Sequence, residues 1–175
     1  MRFSASLRTR QALLVSVLAV FISLSAPAAY AATIGTVVPV LGTAQDLIYD
    51  PARSLVYIAN FSRSEVDIYD VAARRLTGSV PVGVLPGSLA LSPDLNTLYV
   101  ANLGSNTVSA VNLNTRQLGA EYTIGSRPDA IAVGNDGKVL ILGTAGLQRL
   151  DPVTARVVAV PVFPPPTPQI GRAHV

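Results

Sequence analysis

Short apolar runs alternate with turn-forming residues along most of the chain. The clearest set comprises Ser88–Leu91, Thr97–Ala101, Thr107–Asn112 and Gln117–Ile124, each four to eight residues long. The first two runs are separated by Ser92–Asn96, in which Pro presets φ and Asp favours a bend. This spacing predicts four short β-strands joined by tight turns, which is a four-stranded antiparallel meander.

The meander belongs to an internal repeat with a period of 42 residues. Leu55–Asn60 returns as Thr97–Asn102 without a gap, and a third copy places Val139–Leu142 on the positions of Thr97–Val100. The third copy is three residues shorter, and we expect the loss to fall after Leu142. The repeat predicts three units of four strands, at about residues 44–82, 86–124 and 128–162.

The second strand of a unit is apolar at nearly every position, as in Leu98–Ala101. Alternation would indicate one solvated face, whereas a continuous apolar run indicates a sheet covered on both faces. Such sheets stack on similar sheets, and a stack of four-stranded units of about 42 residues is a β-propeller. The sequence therefore predicts an all-β fold, a partial propeller of about three blades.

An additional strand is expected before the first blade. Ile34–Val40 lies 42 residues before Leu76–Val82, the predicted outermost strand of that blade. We expect Ile34–Val40 to be an N-terminal outer strand that closes a ring with strands from the other chain end. Propellers have 4 to 8 blades, so three blades do not close a ring. The remaining blades are expected beyond residue 169, in a chain truncated at its C-terminus.

Several motifs of the repeat resemble a known family. Leu98–Asn102 followed by Asn106–Ser109, and Ile124-Gly125 before Arg127-Pro128, are similar to the YVTN family of β-propeller repeats, which is related to YncE-like and lactonase-like seven-bladed proteins. The third copy departs from the pattern at Ile141–Thr144. The resemblance implies a propeller and little about chemistry, because this fold hosts many functions. The WD40 alternative is set aside, since the chain has no Trp.

The N-terminus has the features of a secretory signal peptide over residues 1–31. Three arginines precede the apolar run Ala12–Ala26, which leads to the small-x-small sequence Ala29-Tyr30-Ala31. The run is shorter than the ~20 residues that span a bilayer, so a membrane anchor is the less favoured alternative. We expect cleavage after Ala31, export by the general secretory route, and an extracytoplasmic (periplasmic or secreted) protein. A lipoprotein is excluded because the chain has no Cys.

Composition and charge narrow the classes of partner. Half of the residues are hydrophobic and 13% are charged, and the formal net charge is +3. Residues 32–169 carry nine basic and ten acidic side chains, because Arg2, Arg8, Arg10 and Arg172 lie outside them. No basic face for nucleic acid or anionic membrane is expected, nor a membrane span after cleavage. The expected partner is an unknown protein, a glycan or a small molecule.

The C-terminal end lies outside the propeller fragment assigned to residues 32–162. Residues 163–169 are rich in proline, which is typical of a long turn into another blade or of a linker to another domain; the first is favoured. Residues 170–175, IGRAHV, match one reading frame of a common short-read sequencing adapter whose next codon is a stop. We expect this tail to be an assembly scar, so that His174, the single histidine, is uninformative about catalysis.

Four polar residues recur at equivalent places in the repeat. Asn60 and Asn102 end equivalent strands, where we expect the amide to close the adjacent turn rather than face a ligand. Asp94 and Asp136 occupy equivalent turns. Each turn supplies one carboxylate, so turn geometry is favoured over calcium binding.

The densest acidic cluster comprises Glu65, Asp67 and Asp70. Alternation along a strand places Glu65 and Asp67 on one face and Asp70 on the other, which predicts a solvated strand rather than an acid–base pair. Tyr57 and Tyr99 are expected to pack between blades rather than to form a substrate platform.

No catalytic motif is present in the sequence. Arg74, Arg75 and Arg116 lie in turns before outer strands and are expected to be solvated. The chain has no Gly-rich phosphate loop that opens a helix, no Ser/His/acid set and no Cys/His metal spacing. The sequence therefore predicts no catalytic, cofactor-binding or metal-binding residue, and no cofactor.

Three functions remain open. The first is a non-catalytic binding scaffold built on a rigid extracytoplasmic propeller. The alternative is a fragment of a propeller enzyme, lactonase-like or a periplasmic redox protein, whose active residues lie on missing blades. The third is a surface adhesion or layer protein in which Pro-rich linkers join a propeller to other domains.

Overall fold

A computed structural model describes residues 37–161. The predicted signal peptide, the Pro-rich segment and the tail lie outside the described residues. Residues 37–161 contain no helix and form three four-stranded sheets. The strands are β1 (Ala44–Asp50), β2 (Leu55–Asn60), β3 (Glu65–Asp70), β4 (Arg75–Pro81), β5 (Pro86–Leu91), β6 (Thr97–Asn102), β7 (Thr107–Asn112), β8 (Gln117–Thr123), β9 (Pro128–Val133), β10 (Val139–Gly143), β11 (Gly146–Asp151) and β12 (Arg156–Ala159).

Each sheet is an antiparallel meander that follows chain order, and each corresponds to one predicted blade. The predicted all-β fold is confirmed: residues 37–161 form a partial β-propeller of three blades. In the second blade, every strand begins and ends within two residues of its predicted bounds.

The core consists of two apolar layers, one on each side of the second blade. The inner strands β1, β5 and β9 pack side by side, while the outer strands β4 and β8 touch only weakly, so the blades fan out from their inner edges. The layer between the first two blades includes Leu55, Tyr57, Val66, Ile68, Leu98, Val100 and Val111. The layer between the last two includes Tyr99, Val108, Ile124, Val139, Ile141 and Leu150.

Hydrogen bonds from a side chain of one inner strand to a backbone N–H of the next, here called the ties, connect the blades. Asp46 Oδ2 accepts a hydrogen bond from Leu89 N in the next blade at 2.8 Å. Forty-two residues later, Ser88 Oγ accepts from Ile131 N at 3.3 Å. The third copy has Ala130 at this position, whose side chain has no acceptor. The ties satisfy backbone N–H groups that face the neighbouring blade instead of a paired strand.

The strand pairing in the third blade differs from the alignment that the repeat predicts. Val139 pairs with Val133 in β9. The equivalent of Val133 in the second blade is Leu91, which pairs with Leu98. Val139 thus takes the position of Leu98, one residue away from the gapless alignment. The expectation that all three residues are lost after Leu142 is wrong: one is lost in the β9–β10 turn and two in the β10–β11 turn. Since side chains alternate along a strand, this shift reverses the faces of β10.

The corrected alignment predicts opposite effects for two neighbouring residues. Ile141 is fully buried against the second blade, whereas Leu142 is 55% exposed. Ile141→Ala should lower the free energy of unfolding by about 3 kcal/mol, because it leaves a cavity in the core. Leu142→Ala should lower it by less than about 1 kcal/mol. Urea unfolding of the two variants tests this, and a larger loss for Leu142→Ala would restore the gapless alignment.

The predicted N-terminal outer strand is not observed where the structure describes it. Val37–Val40 is assigned to no strand, and Ile34–Thr36 lies outside the described residues. A strand needs a hydrogen-bonding neighbour, and each described blade is already a complete set of four strands.

The outward faces of the first and third blades remain apolar and exposed. Leu47 and Tyr49 in β1 are 65% and 50% exposed, whereas Leu89, the equivalent of Leu47 in the second blade, is buried. In the third blade, Leu140 and Leu142 are exposed. The three described blades therefore form an open arc, as three blades are too few to close a ring.

Candidate functional site

One arginine joins the first two blades at their β1–β2 and β5–β6 turns. The Asp50 carboxylate is fully buried, and its Oδ2 accepts from Arg53 Nη1 at 2.9 Å. The same nitrogen donates to Leu95 O at 2.6 Å, and Arg53 Nη2 donates to Asn114 Oδ1 at 2.6 Å. The guanidinium therefore ties a buried carboxylate of one blade to a carbonyl and an amide oxygen of the next.

Tyr57 completes this cluster. Its hydroxyl donates to Asp50 Oδ2 at 3.3 Å. Burial, together with the Asp50 charge, raises the pKa of Tyr57 from 10.0 to about 12, although Arg53 opposes the shift. The tyrosine is therefore held in its neutral form.

The raised pKa of Tyr57 predicts a loss of stability at alkaline pH. A pKa that is higher in the folded state gives a contribution that is complete below pH 10.0 and is lost as the pH rises towards about 12. Tyr57→Phe should lack this part of the alkaline loss, while Tyr49→Phe, at an exposed tyrosine, should retain it. Unfolding curves at a series of pH values test this, and coincident profiles for wild type and Tyr57→Phe would contradict it.

The equivalent space between the second and third blades is built differently. Ser92 and Leu95 stand 42 residues after Asp50 and Arg53, so neither member of the ion pair recurs. A groove of about 350 Å³ lies between the β5–β6 and β9–β10 turns, and we call it the turn groove. The side chains that line it include Ser92, Asp94, Thr97, Tyr99, Asn135 and Asp136.

Asp94 and Asp136 bring two carboxylates to the turn groove. Asp94 Oδ1 accepts from Ser92 Oγ at 2.5 Å and from Asn96 N at 3.1 Å. The Ser92 bond, with the Asn96 bonds, holds the pKa of Asp94 below its usual value. Asp136 Oδ1 accepts from Lys138 N at 3.1 Å. The predicted turn role of both residues is confirmed, and both retain acceptor capacity because a carboxylate offers about four lone-pair sites.

Tyr99 forms part of the floor of the turn groove. It is 7% exposed and packs in the apolar layer between the second and third blades, as predicted. Unlike the hydroxyl of Tyr57, its hydroxyl has no hydrogen-bond partner within residues 37–161. Burial, with the Tyr122 and Asp94 side chains, raises the pKa of Tyr99. The groove thus contains a neutral donor that is not used by the fold.

Lys138, the single lysine of the chain, pairs with a carboxylate that does not line the turn groove. Lys138 Nζ lies 2.8 Å from Asp151 Oδ2, and this hydrogen bond lowers the pKa of Asp151 to about 2. The charges of Asp94 and Asp136 are therefore not neutralised by an ion pair within the described residues.

The two recurring asparagines bond across strands. Asn60 Nδ2 donates to Leu41 O at 2.5 Å and to Asp67 Oδ2 at 2.8 Å. Asn102 Nδ2 donates to Ser109 Oγ at 2.9 Å and to a threonine hydroxyl at 3.0 Å. The expectation that these amides close the adjacent turn holds for the bond from Asn102 to Thr107, which spans the β6–β7 turn. The bonds to Asp67 and Ser109 instead reach further along the next strand, and both asparagine side chains are fully buried.

The three carboxylates of the acidic cluster in the first blade each bond to a different partner. Glu65 pairs with Arg63, and Asp70 caps its own turn through Ala73 N at 2.8 Å. Asp67 is not solvated as predicted, because it is 7% exposed and bonded to the buried amide of Asn60. No acid–base pair is formed by these carboxylates.

The three turn arginines agree with their predicted exposure. Arg74, Arg75 and Arg116 are all exposed. Arg74 and Arg116 share a positive φ, of 53° and 56°, at equivalent turn positions. Arg74 and Arg116 are solvated turn residues, whereas Arg75 is the exposed first residue of β4.

Two kinds of feature are absent from the described part of the chain. Residues 37–161 contain no group of three or more His, Cys, Asp or Glu side chains that is placed to hold a metal ion. They also contain no helix long and apolar enough to span a membrane.

Fold and groove together define a class: a partial β-propeller with a polar cleft between two of its blades. Comparison with family models finds no match, and a search of curated proteins finds none. Solved structures are similar in fold. A chain of Kuenenia stuttgartiensis hydrazine synthase superimposes with a TM-score of 0.63 and 27% identity, over 71% of this chain and 37% of that one.

A functionally unknown protein from Desulfotomaculum acetoxidans DSM 771 is also similar, with a TM-score of 0.62 and 20% identity, over 73% of this chain and 44% of that one. The alignments thus span less than half the length of either protein. Both likenesses support a β-propeller-like fold.

The sequence analysis singled out residues of the turn groove, but it did not predict that they lie together in one groove. Asp94, Asp136 and Tyr99 were selected separately, and the period of 42 contained the missing signal, since equivalent turns of adjacent blades lie side by side. Asp50 and Arg53 were overlooked. Their signal was a departure from the repeat, because both are charged in the first copy and uncharged in the second.

Proposed function

We propose that the chain is an extracytoplasmic YVTN-type repeat propeller, related to YncE-like proteins, that acts as a non-catalytic binding scaffold. The observation that carries this proposal is the turn groove. It combines polar side chains on short turns between rigid sheets, a common arrangement for a binding site.

The repeat motifs and the N-terminus support the finer parts of the proposal. Leu98–Asn102 and Asn106–Ser109 resemble the YVTN repeat. The apolar run that ends before Ala29-Tyr30-Ala31 supports export and cleavage.

Export is tested by expressing the full chain in a Gram-negative bacterium. The processed protein is expected in the periplasmic fraction with Ala32 as its new N-terminus, as determined by mass spectrometry. Ala31→Asp should block processing because a small residue is required there, whereas Tyr30→Ser, at the variable middle position, should not. Unprocessed wild-type protein held in the membrane fraction would contradict the proposal and indicate an anchor.

One observation favours a second function, a fragment of a propeller enzyme: one similar solved chain is a hydrazine synthase. The scaffold proposal expects the purified, processed chain to turn over no lactone or ester substrate. Turnover that follows the protein through purification would replace the scaffold proposal with the enzyme.

A further inference from the structure

The outward face of the first blade is built like a face that is covered elsewhere in the chain. In the third blade, Ile131 and Val133 pack in the apolar layer against the second blade. Leu47 and Tyr49 take the equivalent positions in the first blade, two repeats earlier, and they are 65% and 50% exposed. The first blade therefore presents to solvent the surface with which the third blade contacts its neighbour.

The outward face of the third blade offers the other half of such a contact. It contains a hollow of about 230 Å³ whose apolar lining includes Ala130, Leu140 and Leu142. Leu140 and Leu142 are exposed, although the equivalent face of the second blade is covered by the third. Contiguous apolar surface of this kind marks an interaction site in soluble proteins.

The ties indicate which blade fits against the third one. Within the chain, each tie supplies an acceptor to a backbone N–H of the next blade, that of Leu89 and then that of Ile131. The third copy has Ala130 and supplies no acceptor. In the first blade, however, the equivalent N–H of Leu47 already donates to Asp46 Oδ1 of its own strand, at 2.8 Å. Among the described blades, the first is thus the one that can follow the third without an unbonded N–H at this position.

A cation and an aromatic ring are complementary across the same pair of faces. Arg149 is exposed and lies on the outward face of the third blade, because its neighbour Leu150 is buried against the second. Strand pairing gives Arg149 the position of Ala110, which packs in the layer that contains Leu150. The equivalent of Leu150 in the first blade is Tyr69. A contact between the third and first blades therefore sets a guanidinium against a tyrosine ring, on which it stacks favourably.

We propose that the outward face of the third blade binds the outward face of the first blade in a second copy of this chain. The contact forms twice about a two-fold axis, so that two arcs of three blades close a ring of six. Six blades are within the range of 4 to 8 found in closed propellers. This inference goes beyond the proposed function, since it concerns how the scaffold assembles.

Analytical ultracentrifugation of the processed chain, over about a hundredfold range of concentration, tests the proposal. The expected result is a species of twice the chain mass that dissociates on dilution. A monomer at every concentration would overturn the proposal and leave both faces to blades of a longer chain. Species that grow steadily with concentration would also overturn it, because the contact would then extend without closing a ring.

Two variants test the two sides of the contact. Leu47→Glu and Leu142→Glu should each give a monomer, because each would bury an unpaired carboxylate twice in the ring. Their fold should be unaltered by circular dichroism, since both leucines are exposed in the single chain. The matched control Leu118→Glu changes a leucine of the second blade that is 44% exposed, and the dimer should persist.

The same variants exclude other pairings of the faces. A dimer that survives Leu47→Glu would pair two third blades, and one that survives Leu142→Glu would pair two first blades; either result overturns the proposal. Tyr69→Leu should weaken the dimer about tenfold, because the ring that faces Arg149 is lost. An unchanged dissociation constant for Tyr69→Leu would contradict the alignment of the two faces.

Discussion

Arg53→Leu is expected to lower the free energy of unfolding by about 3–5 kcal/mol. Asp50 is completely buried, and its carboxylate is neutralised by Arg53. Leucine would leave a buried charge uncompensated and would also remove the bonds to Leu95 O and to the Asn114 side chain, which hold the second blade. Urea unfolding measured by circular dichroism gives the change directly.

Two comparisons isolate the cause. Arg75→Leu removes an exposed arginine with no ion-pair partner within the described residues, and should change stability by less than about 0.5 kcal/mol. The double variant Asp50→Asn/Arg53→Leu removes both charges and should be more stable than Arg53→Leu alone. If the double variant is no better than the single one, the loss comes from packing and not from the unpaired carboxylate.

Gly143→Ala is expected to be the most damaging single-methyl change, with a loss of about 3 kcal/mol. A Cβ atom at Gly143 would overlap the backbone carbonyl oxygen of Arg127, which cannot move aside as a side chain could. That oxygen also accepts from Thr144 N at 3.1 Å and anchors the end of β10 on β9. Hydrogen exchange should show loss of protection in β9 and β10 before the second blade.

The matched control is Gly78→Ala in β4. A Cβ atom there has no neighbour within 4 Å, so the change should be neutral or slightly stabilising. Gly143→Ala with the stability of Gly78→Ala would mean that the β9–β10 connection yields easily, and that the glycine is not required.

The strands were predictable because the repeat is strong, and the second blade matches its prediction closely. The third blade shows the limit. Val139–Leu142 is apolar at all four positions, so either face could be the buried one, and no residue in this run marks a one-residue loss before it. Only the pairing of Val139 with Val133 decides the alignment.

The candidate site was predictable in its parts and not as a whole. Asp94 and Asp136 were correctly interpreted as turn residues, because Asx chemistry acts within a few residues. The two residues share a groove because two blades stack side by side. That stacking depends on contacts between residues far apart in the sequence, which local turn chemistry does not reveal. Asp67 was mispredicted for the same reason, since its partner Asn60 is on a neighbouring strand.

The residue that accepts a hydrogen bond from the next inner strand differs between the copies. It is the carboxylate of Asp46 in the first and the hydroxyl of Ser88 in the second, whereas the third copy has Ala130, whose methyl group cannot accept. The three copies are therefore not exchangeable modules, despite their similar sequences. A recombined gene that moved the third copy ahead of another blade would leave the next inner strand without its acceptor. Shuffling of these repeats is thus constrained by a hydrogen bond at each junction as well as by apolar packing.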